Sequence, residues 1–286
     1  MVAGPGEPEG QDGPLDAVLP DGMARRAERT GVEKARKDPL SLLALAALAG
    51  AFIAFGAAFA GLVAGGSDGG GGMRLLAGFA FSLAYVLAII GGAELFTTNN
   101  LMVMAWAHGR LGTLELLRAW GVVFCGNFVG VTATGALLVG GGVHAAFDGA
   151  VGMSLLKSAG RLVDMGLAQA LILGILGNTL LCLGVWLTYS GRSVTDRILA
   201  LIPPVAGFYA LGLEHAIAVM FYLPTAEVMT LIGGEAFWGL SGTSPVVVSL
   251  AGFAALLAAV TVGNILGGGV LVAMMYWFIY LRHERG

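Results

Sequence analysis

The sequence predicts an all-α membrane protein with six transmembrane spans, built as an inverted 3+3 repeat in which the second and fifth helices are broken. Three observations predict this class. First, 57% of the 286 residues are hydrophobic, only 12% are charged, and the mean hydropathy is +0.84. A soluble chain is about one quarter charged, so that class is excluded. Second, from about residue 41 onward, apolar runs follow one another, each near the ~20 residues that a bilayer core requires. Third, glycine-bearing polar motifs recur three spans apart. The 47 glycines suit helices whose backbones pack closely in lipid.

The elements follow in order. Residues 1–31 form an N-terminal region. "MVAGPGEPEGQDGPLD" is glycine, proline and acid, and is expected to be disordered. "ARRAERTGVEKARK" is basic and weakly amphipathic, and is expected on the membrane surface before the first span. No leader-like apolar core is visible in residues 1–40. Six spans fit at 41–65, 74–108, 112–140, 166–189, 198–230 and 246–281, with "SDGGGG", "GGGVHAAFDGA" and "YSGRS" marking three connections. The second and fifth stretches are too long for simple crossings.

Lysine and arginine orient these spans. With the N-terminus in the cytoplasm, Arg25, Arg26, Arg29, Lys34, Arg36, Lys37, Arg110, Arg118, Arg192, Arg197, Arg282 and Arg285 lie inside. Only Arg74, Lys157 and Arg161 lie outside. Both termini are therefore expected in the cytoplasm, and the chain in the cytoplasmic (inner) membrane. The net charge of −3 adds little, because the charges sit outside the apolar runs. Cys125 and Cys182 fall within spans, lack zinc or redox spacing, and read as small apolar residues.

The third span contains "CGNFVGV" and the sixth "VGNILGG"; both match G-N-x-x-G. The second contains "GGAELFTTNN" and the fifth "LGLEHAIAVM"; each places a glutamate two residues after a glycine. Three is odd, so the second unit enters the membrane from the opposite side. Inverted repeats of this kind place a binding or permeation site near the midplane, between interrupted helices.

A charge at the bilayer centre costs about 2.5–3.5 kcal/mol on insertion scales. Glu94, Glu214 and His215 are the central candidates, all in the overlong stretches. The plain role for both glutamates is structural: accepting backbone N–H groups freed by a break. At Thr97, Thr98, Asn99 and Asn100 the helix is expected to stop and restart, because threonine and asparagine cap helix N-termini. A simple polar kink is the alternative. His215 sits at the matching break of the other unit and titrates near neutral pH. His108, His144 and His283 receive no role.

At these residues the chain resembles the formate/nitrite transporter family over roughly 32–282. "GVEKA", "AGAFIAFG", "ELFTTNN", "GNFVG", "LGILGNTLLCLGVW", "YSGRSVTDR" and "LGLEHAIAVMFYLP" carry the resemblance, in the family's order. It implies an aquaporin-like channel domain over 32–282, a cytoplasmic tail at 283–286, and a homopentamer with one pore per protomer. It implies permeation of small monovalent weak-acid anions such as formate, nitrite or hydrosulfide, with a proton as co-partner. It implies His215 as the central pore histidine, Thr97 facing it from the broken second span, and Asn178 reaching toward it. Leu95, Phe96, Phe81 and Phe208 match two apolar constrictions. Two positions depart from the family pattern: Leu162, beside Arg161, replaces a vestibule lysine, and Tyr85 replaces a constriction leucine.

The mechanism expected from this pattern is proton sharing at His215, between two constrictions that oppose a bare anion. A channel for small neutral solutes is the main alternative. An intramembrane enzyme using Glu94, Glu214 and His215 lacks any H-E-x-x-H or comparable ligand spacing. No metal site, cofactor site or nucleic-acid partner is expected, and the bilayer is the surrounding medium.

Overall fold

The computed structural model describes residues 17–65, 70–241 and 244–284, and it is all-helical among them. The expectation of disorder for residues 1–16 lies outside the described residues. Helix α1 (Pro20–Ala35) opens with proline, whose fixed φ suits a first helical turn. It buries Met23, Ala24, Ala27, Gly31 and Ala35. The boundary expected at 31/32 falls inside this helix. One face of α1 packs on the channel body, against the segment 100–107.

The first unit continues with α2 (Pro39–Gly65) and α3 (Gly71–Ile90). After a break come short α4 (Phe96–Asn99), a 3-10 turn at Asn100–Met102 and α5 (Val103–Ala107). Then follows α6 (Thr113–Gly140). The second unit repeats this order. It has α7 (Ala150–Val163), α8 (Leu167–Thr188) and α9 (Val194–Leu211), then a break. Helices α10 (Ala216–Ile232), α11 (Glu235–Ser241) and α12 (Leu250–Asn264) follow. A π-helical stretch (Ile265–Met274) and α13 (Met275–Tyr280) extend α12 into one long span.

Among the described residues, six helical segments are long and apolar enough to cross a membrane. The chain is a multi-pass membrane protein, and each of the two overlong stretches is a long helix, a break and resumed helix. Sequence reading did not anticipate α7, α11 or the π-helical turns.

Packing repeats as well. Helix α2 lies against α3 and α6, α8 lies against α9 and α12, and α3 meets α9 between the units. The glycines of the two G-N-x-x-G motifs set the closest approaches. A Cβ on Gly130 would stand 1.9 Å from the Ala47 carbonyl oxygen, and one on Gly267 would stand 2.2 Å from that of Ile175. Only a hydrogen side chain fits at either crossing. Large apolar side chains such as Phe55, Phe59, Leu137 and Leu266 are left exposed on the faces of these helices turned away from the packed interior.

Candidate functional site

Both breaks are built the same way. Helix α3 ends at Ile90 and α9 at Leu211, each followed by a glycine at positive φ: Gly92 at 77° and Gly212 at 68°. This left-handed conformation favours glycine, which explains the glycine two residues before each glutamate. The chain then runs extended through Leu95 and His215 before helix resumes at Phe96 and Ala216.

Asn127 and Asn264 hold the extended segments. The Asn127 Oδ1 accepts from the Phe96 N–H at 2.8 Å, while its Nδ2 donates to the Ala46 and Glu94 carbonyls, both at 2.8 Å. The Asn264 Oδ1 accepts from the Ala216 N–H at 2.8 Å, and its Nδ2 donates to Gly174 at 2.9 Å and Glu214 at 3.2 Å. One side chain thus caps the restarted helix and ties the break to the neighbouring span. This corresponds to a repeat three spans apart.

The break therefore lies at 91–95, not at Thr97–Asn100 as sequence reading placed it. The four polar residues lie in helical turns, because the cap arrives from α6. Asn100 donates from Nδ2 to the carbonyls of Phe96 (3.0 Å) and Thr97 (3.1 Å). Asn99 accepts at Oδ1 from Lys34 at 3.0 Å.

The glutamates also differ from expectation. Glu94, 1% exposed, pairs with Lys34 at 2.9 Å and Lys37 at 2.7 Å. Glu214, 2% exposed, pairs with Arg161, whose Nη1 also donates to the Gly212 carbonyl at 3.0 Å. Neither carboxylate serves the break's backbone, because the asparagines already do. Lys34 comes from the helix before the first span and Arg161 from the helix before the fourth. The repeat thus includes α1 and α7, each supplying a cation to its unit's buried acid.

His215 is fully buried and caps α10, its Nδ1 accepting from the Ala218 N–H at 3.3 Å. An accepting nitrogen carries no proton, so the neutral ring holds its proton on Nε2. That Nε2 has no partner among the described residues. Phe208 lies 5.3 Å from the imidazole centroid and Phe81 6.2 Å; Tyr85 stands edge-on at 6.3 Å. The Tyr85 hydroxyl lies beside that of Thr97; both are buried, and neither has a partner at full hydrogen-bond geometry among the described residues.

Asn178 does not bond to His215. Its Nδ2 is used on the carbonyls of Thr97 (3.1 Å) and Asn264 (2.8 Å), locking the two units together. Cys182 adds a contact from Sγ to the same Thr97 carbonyl at 3.4 Å. Phe96 turns its ring edge-on to Phe124 (5.1 Å) and Trp120 (5.8 Å) of α6. Leu95 is fully buried at the position matching His215.

A cavity of about 570 Å³ opens on the α1 side. Arg26, Arg29, Lys34, Lys37, Arg192 and Arg197 line it, against the carboxylates Glu33 and Glu94. Burial and the nearby Arg192, Arg197 and Arg29 guanidiniums hold Arg26 below the usual arginine value. Sequence reading used these residues only for orientation, and their convergence depends on α1 folding back. Ala88, Ile89, Val185 and Thr188 also line this cavity. One helical turn deeper, about 6 Å, come Tyr85 on α3 and Cys182 on α8, and another turn deeper come Phe81 and Asn178. Tyr85 therefore lies between the cationic cavity and the ring cluster of His215, Phe81 and Phe208.

Similarity to known proteins agrees with this architecture. Residues 21–278 match the family model described as formate/nitrite transporter. The chain is 39% identical over 284 residues to the formate channel FocA of Escherichia coli K12, covering 96% of this chain and 98% of that one. It is 33% identical over 273 residues to FocA of Haemophilus influenzae, covering 93% and 96%. A solved pentameric formate channel with formate bound is 37% identical, with a TM-score of 0.79 over 85% of this chain and 98% of that chain. An FNT family ion channel at 24% identity and TM-score 0.76, over 90% and 98%, shares the fold. The protein is a membrane transporter rather than an enzyme, and the chain belongs to the formate/nitrite transporter family.

Proposed function

We propose that this protein conducts small monovalent weak-acid anions, formate foremost, and shares a proton with them at His215. One observation carries the reading: a buried imidazole with an unpartnered Nε2 packs against Phe208 and Phe81, and Phe81 stands about two helical turns along α3 from the lining of a cationic cavity. The formate channels that the chain resembles supply the substrate class. Nitrite and hydrosulfide belong to the same class of weak-acid anions.

The arginines and lysines of the cavity concentrate anions at its floor. Beyond it, a bare anion among Phe81, Phe208 and Leu95 has lost its hydration, whereas a neutral acid pays far less. Protonating His215 requires Nδ1 to surrender its bond to the Ala218 N–H, a capping interaction of about 0.5–2 kcal/mol. The empty pore thus favours the neutral ring, and an anion beside Nε2 offsets the cost of the second proton. The imidazolium then gives its Nε2 proton to the anion. Neutral acid and a neutral imidazole protonated on Nδ1 result; the acid passes the constriction, and the ring resets when Nε2 regains a proton and Nδ1 gives its proton up, restoring the bond from the Ala218 N–H.

The lysine and arginine bias orients α1 and both termini to the cytoplasm, in an inner membrane. The functional unit is a homopentamer, as in the pentameric neighbour. Helix α1 belongs to the transport unit, because Lys34 and Lys37 hold Glu94 at the first break.

The test is radiolabelled formate uptake into proteoliposomes at two external pH values. His215→Phe is expected to abolish the pH-dependent component. Uptake that stays undiminished and pH-dependent in that variant sinks the mechanism. Osmotic swelling with glycerol that exceeds formate flux would instead favour a neutral-solute channel.

A further inference from the structure

Tyr85 is fully buried, and its hydroxyl has no hydrogen-bond partner among the described residues. Buried hydroxyls almost always have one, so this is an exception with a cause to find. Packing does not supply the cause. One turn along the same face of α3 stands Phe81, in contact with the same imidazole. A phenylalanine at 85 would keep the edge-on contact without stranding a polar atom.

The placement does supply a cause. Tyr85 stands one turn along α3 from the lining of the cationic cavity, with its ring edge-on to His215 and its hydroxyl beside that of Thr97. Thr97 Oγ1 and His215 Nε2 are also buried and unpartnered among the described residues. Three buried polar groups gathered around the Tyr85 ring therefore lack partners. The Thr97 backbone cannot drift to relieve this, because Asn178, Asn100 and Cys182 all contact its carbonyl. These groups are held ready for an acceptor that arrives from outside the protein.

We infer that Tyr85 is a positioning and specificity residue: its hydroxyl, with that of Thr97, binds one oxygen of a two-oxygen anion while His215 Nε2–H binds the other. Carboxylates and nitrite present two acceptor oxygens with several lone-pair directions. Hydrosulfide presents a single soft sulfur, a weak acceptor that cannot span separated donors. The pore thus prefers planar two-oxygen anions over hydrosulfide. This preference rests on the anion-conducting reading above and narrows it to one substrate class.

The test compares full-length wild type, Tyr85→Phe and Thr97→Val in proteoliposomes, with formate and hydrosulfide fluxes measured at one pH. Removing one hydrogen bond to a charged acceptor should raise the half-saturating formate concentration about tenfold. Hydrosulfide flux should stay within about twofold, so the formate-to-hydrosulfide ratio falls about tenfold. Thr97→Val should shift the ratio in the same direction. Equal loss of both fluxes in Tyr85→Phe overturns the inference, since a merely structural hydroxyl would act on both. An unchanged ratio overturns it too. A wild type that passes neither anion removes the anion-conducting reading itself, an outcome distinct from either of these.

Discussion

Asn127→Ala should destabilise the protein far more than an ordinary polar truncation in a membrane helix. The substitution strips partners from the Phe96 N–H and from the Ala46 and Glu94 carbonyls in one step. Interhelical hydrogen bonds in membrane proteins average about 0.6 kcal/mol and reach about 1.7. Three lost together give about 2–5 kcal/mol, with the Phe96 N–H weighing most because a buried donor stranded at a helix start costs about 1–3 kcal/mol alone. For a chain of this size that lowers Tm by about 5–15 °C. The readout is thermal unfolding of detergent-purified protein, followed by size-exclusion loss of the folded species. Asn264→Ala should fall in the same range, since its side chain makes the corresponding bonds. Aspartate at either site should be worse than alanine: it keeps the acceptor for the N–H, loses both donors, and adds a buried charge. A Tm within about 2 °C of wild type for either alanine variant, or aspartate tolerated better than alanine, would refute this account of the breaks.

Three further outcomes follow from the packing. Replacing both Lys34 and Lys37 by methionine leaves Glu94 buried without a cation, at a cost of about 3–5 kcal/mol, nearer the low end because the lysines are 21% and 35% exposed. Limited trypsin digestion should then cut α1 at Arg25–Arg29 many times faster, while either single variant stays close to wild type. Gly267→Ala forces a methyl onto the Ile175 carbonyl and should cost about 3 kcal/mol or more, read as lost yield of folded protein. Gly121→Ala, where a Cβ meets nothing within 4 Å, should raise stability by about 0.5–1 kcal/mol through helix propensity.

The spans, the paired breaks and the G-N-x-x-G repeat are legible in the sequence because each depends on local pattern: apolar length, a glycine before an acid, an asparagine between glycines. What was misread depends on distant partners. Thr97–Asn100 look like helix caps, but the cap of α4 comes from Asn127, thirty-one residues away. Glu94 and Glu214 look like acceptors for freed N–H groups, yet Lys34 and Arg161 reach them from helices outside the spans. Phe96 and Asn178 also have partners that local pattern does not show: Phe124 for the one, the Thr97 and Asn264 carbonyls for the other. The cationic cavity was invisible because its cations come from α1 and the link after it, and from the first turn of α9 and the turn before it, and only folding brings these together.

The scaffold repeats, and the chemistry arises where the copies differ. Glycine at positive φ, a buried acid paired with a cation, and an asparagine bridge occur in both units. At the next residue the units diverge: Leu95 in the first, His215 in the second. A leucine there leaves the helix start capped only from Asn127. A histidine caps its own helix through Nδ1 and presents Nε2 to the path. The first unit carries hydroxyls instead, Thr97 two residues on and Tyr85 on α3. A fully symmetric pore would have either two imidazoles, competing for a proton across one short path, or none. With a single one, the proton sharing proposed above has one site. On that proposal, the apolar residue at the matching position keeps the rest of the path hostile to a bare anion.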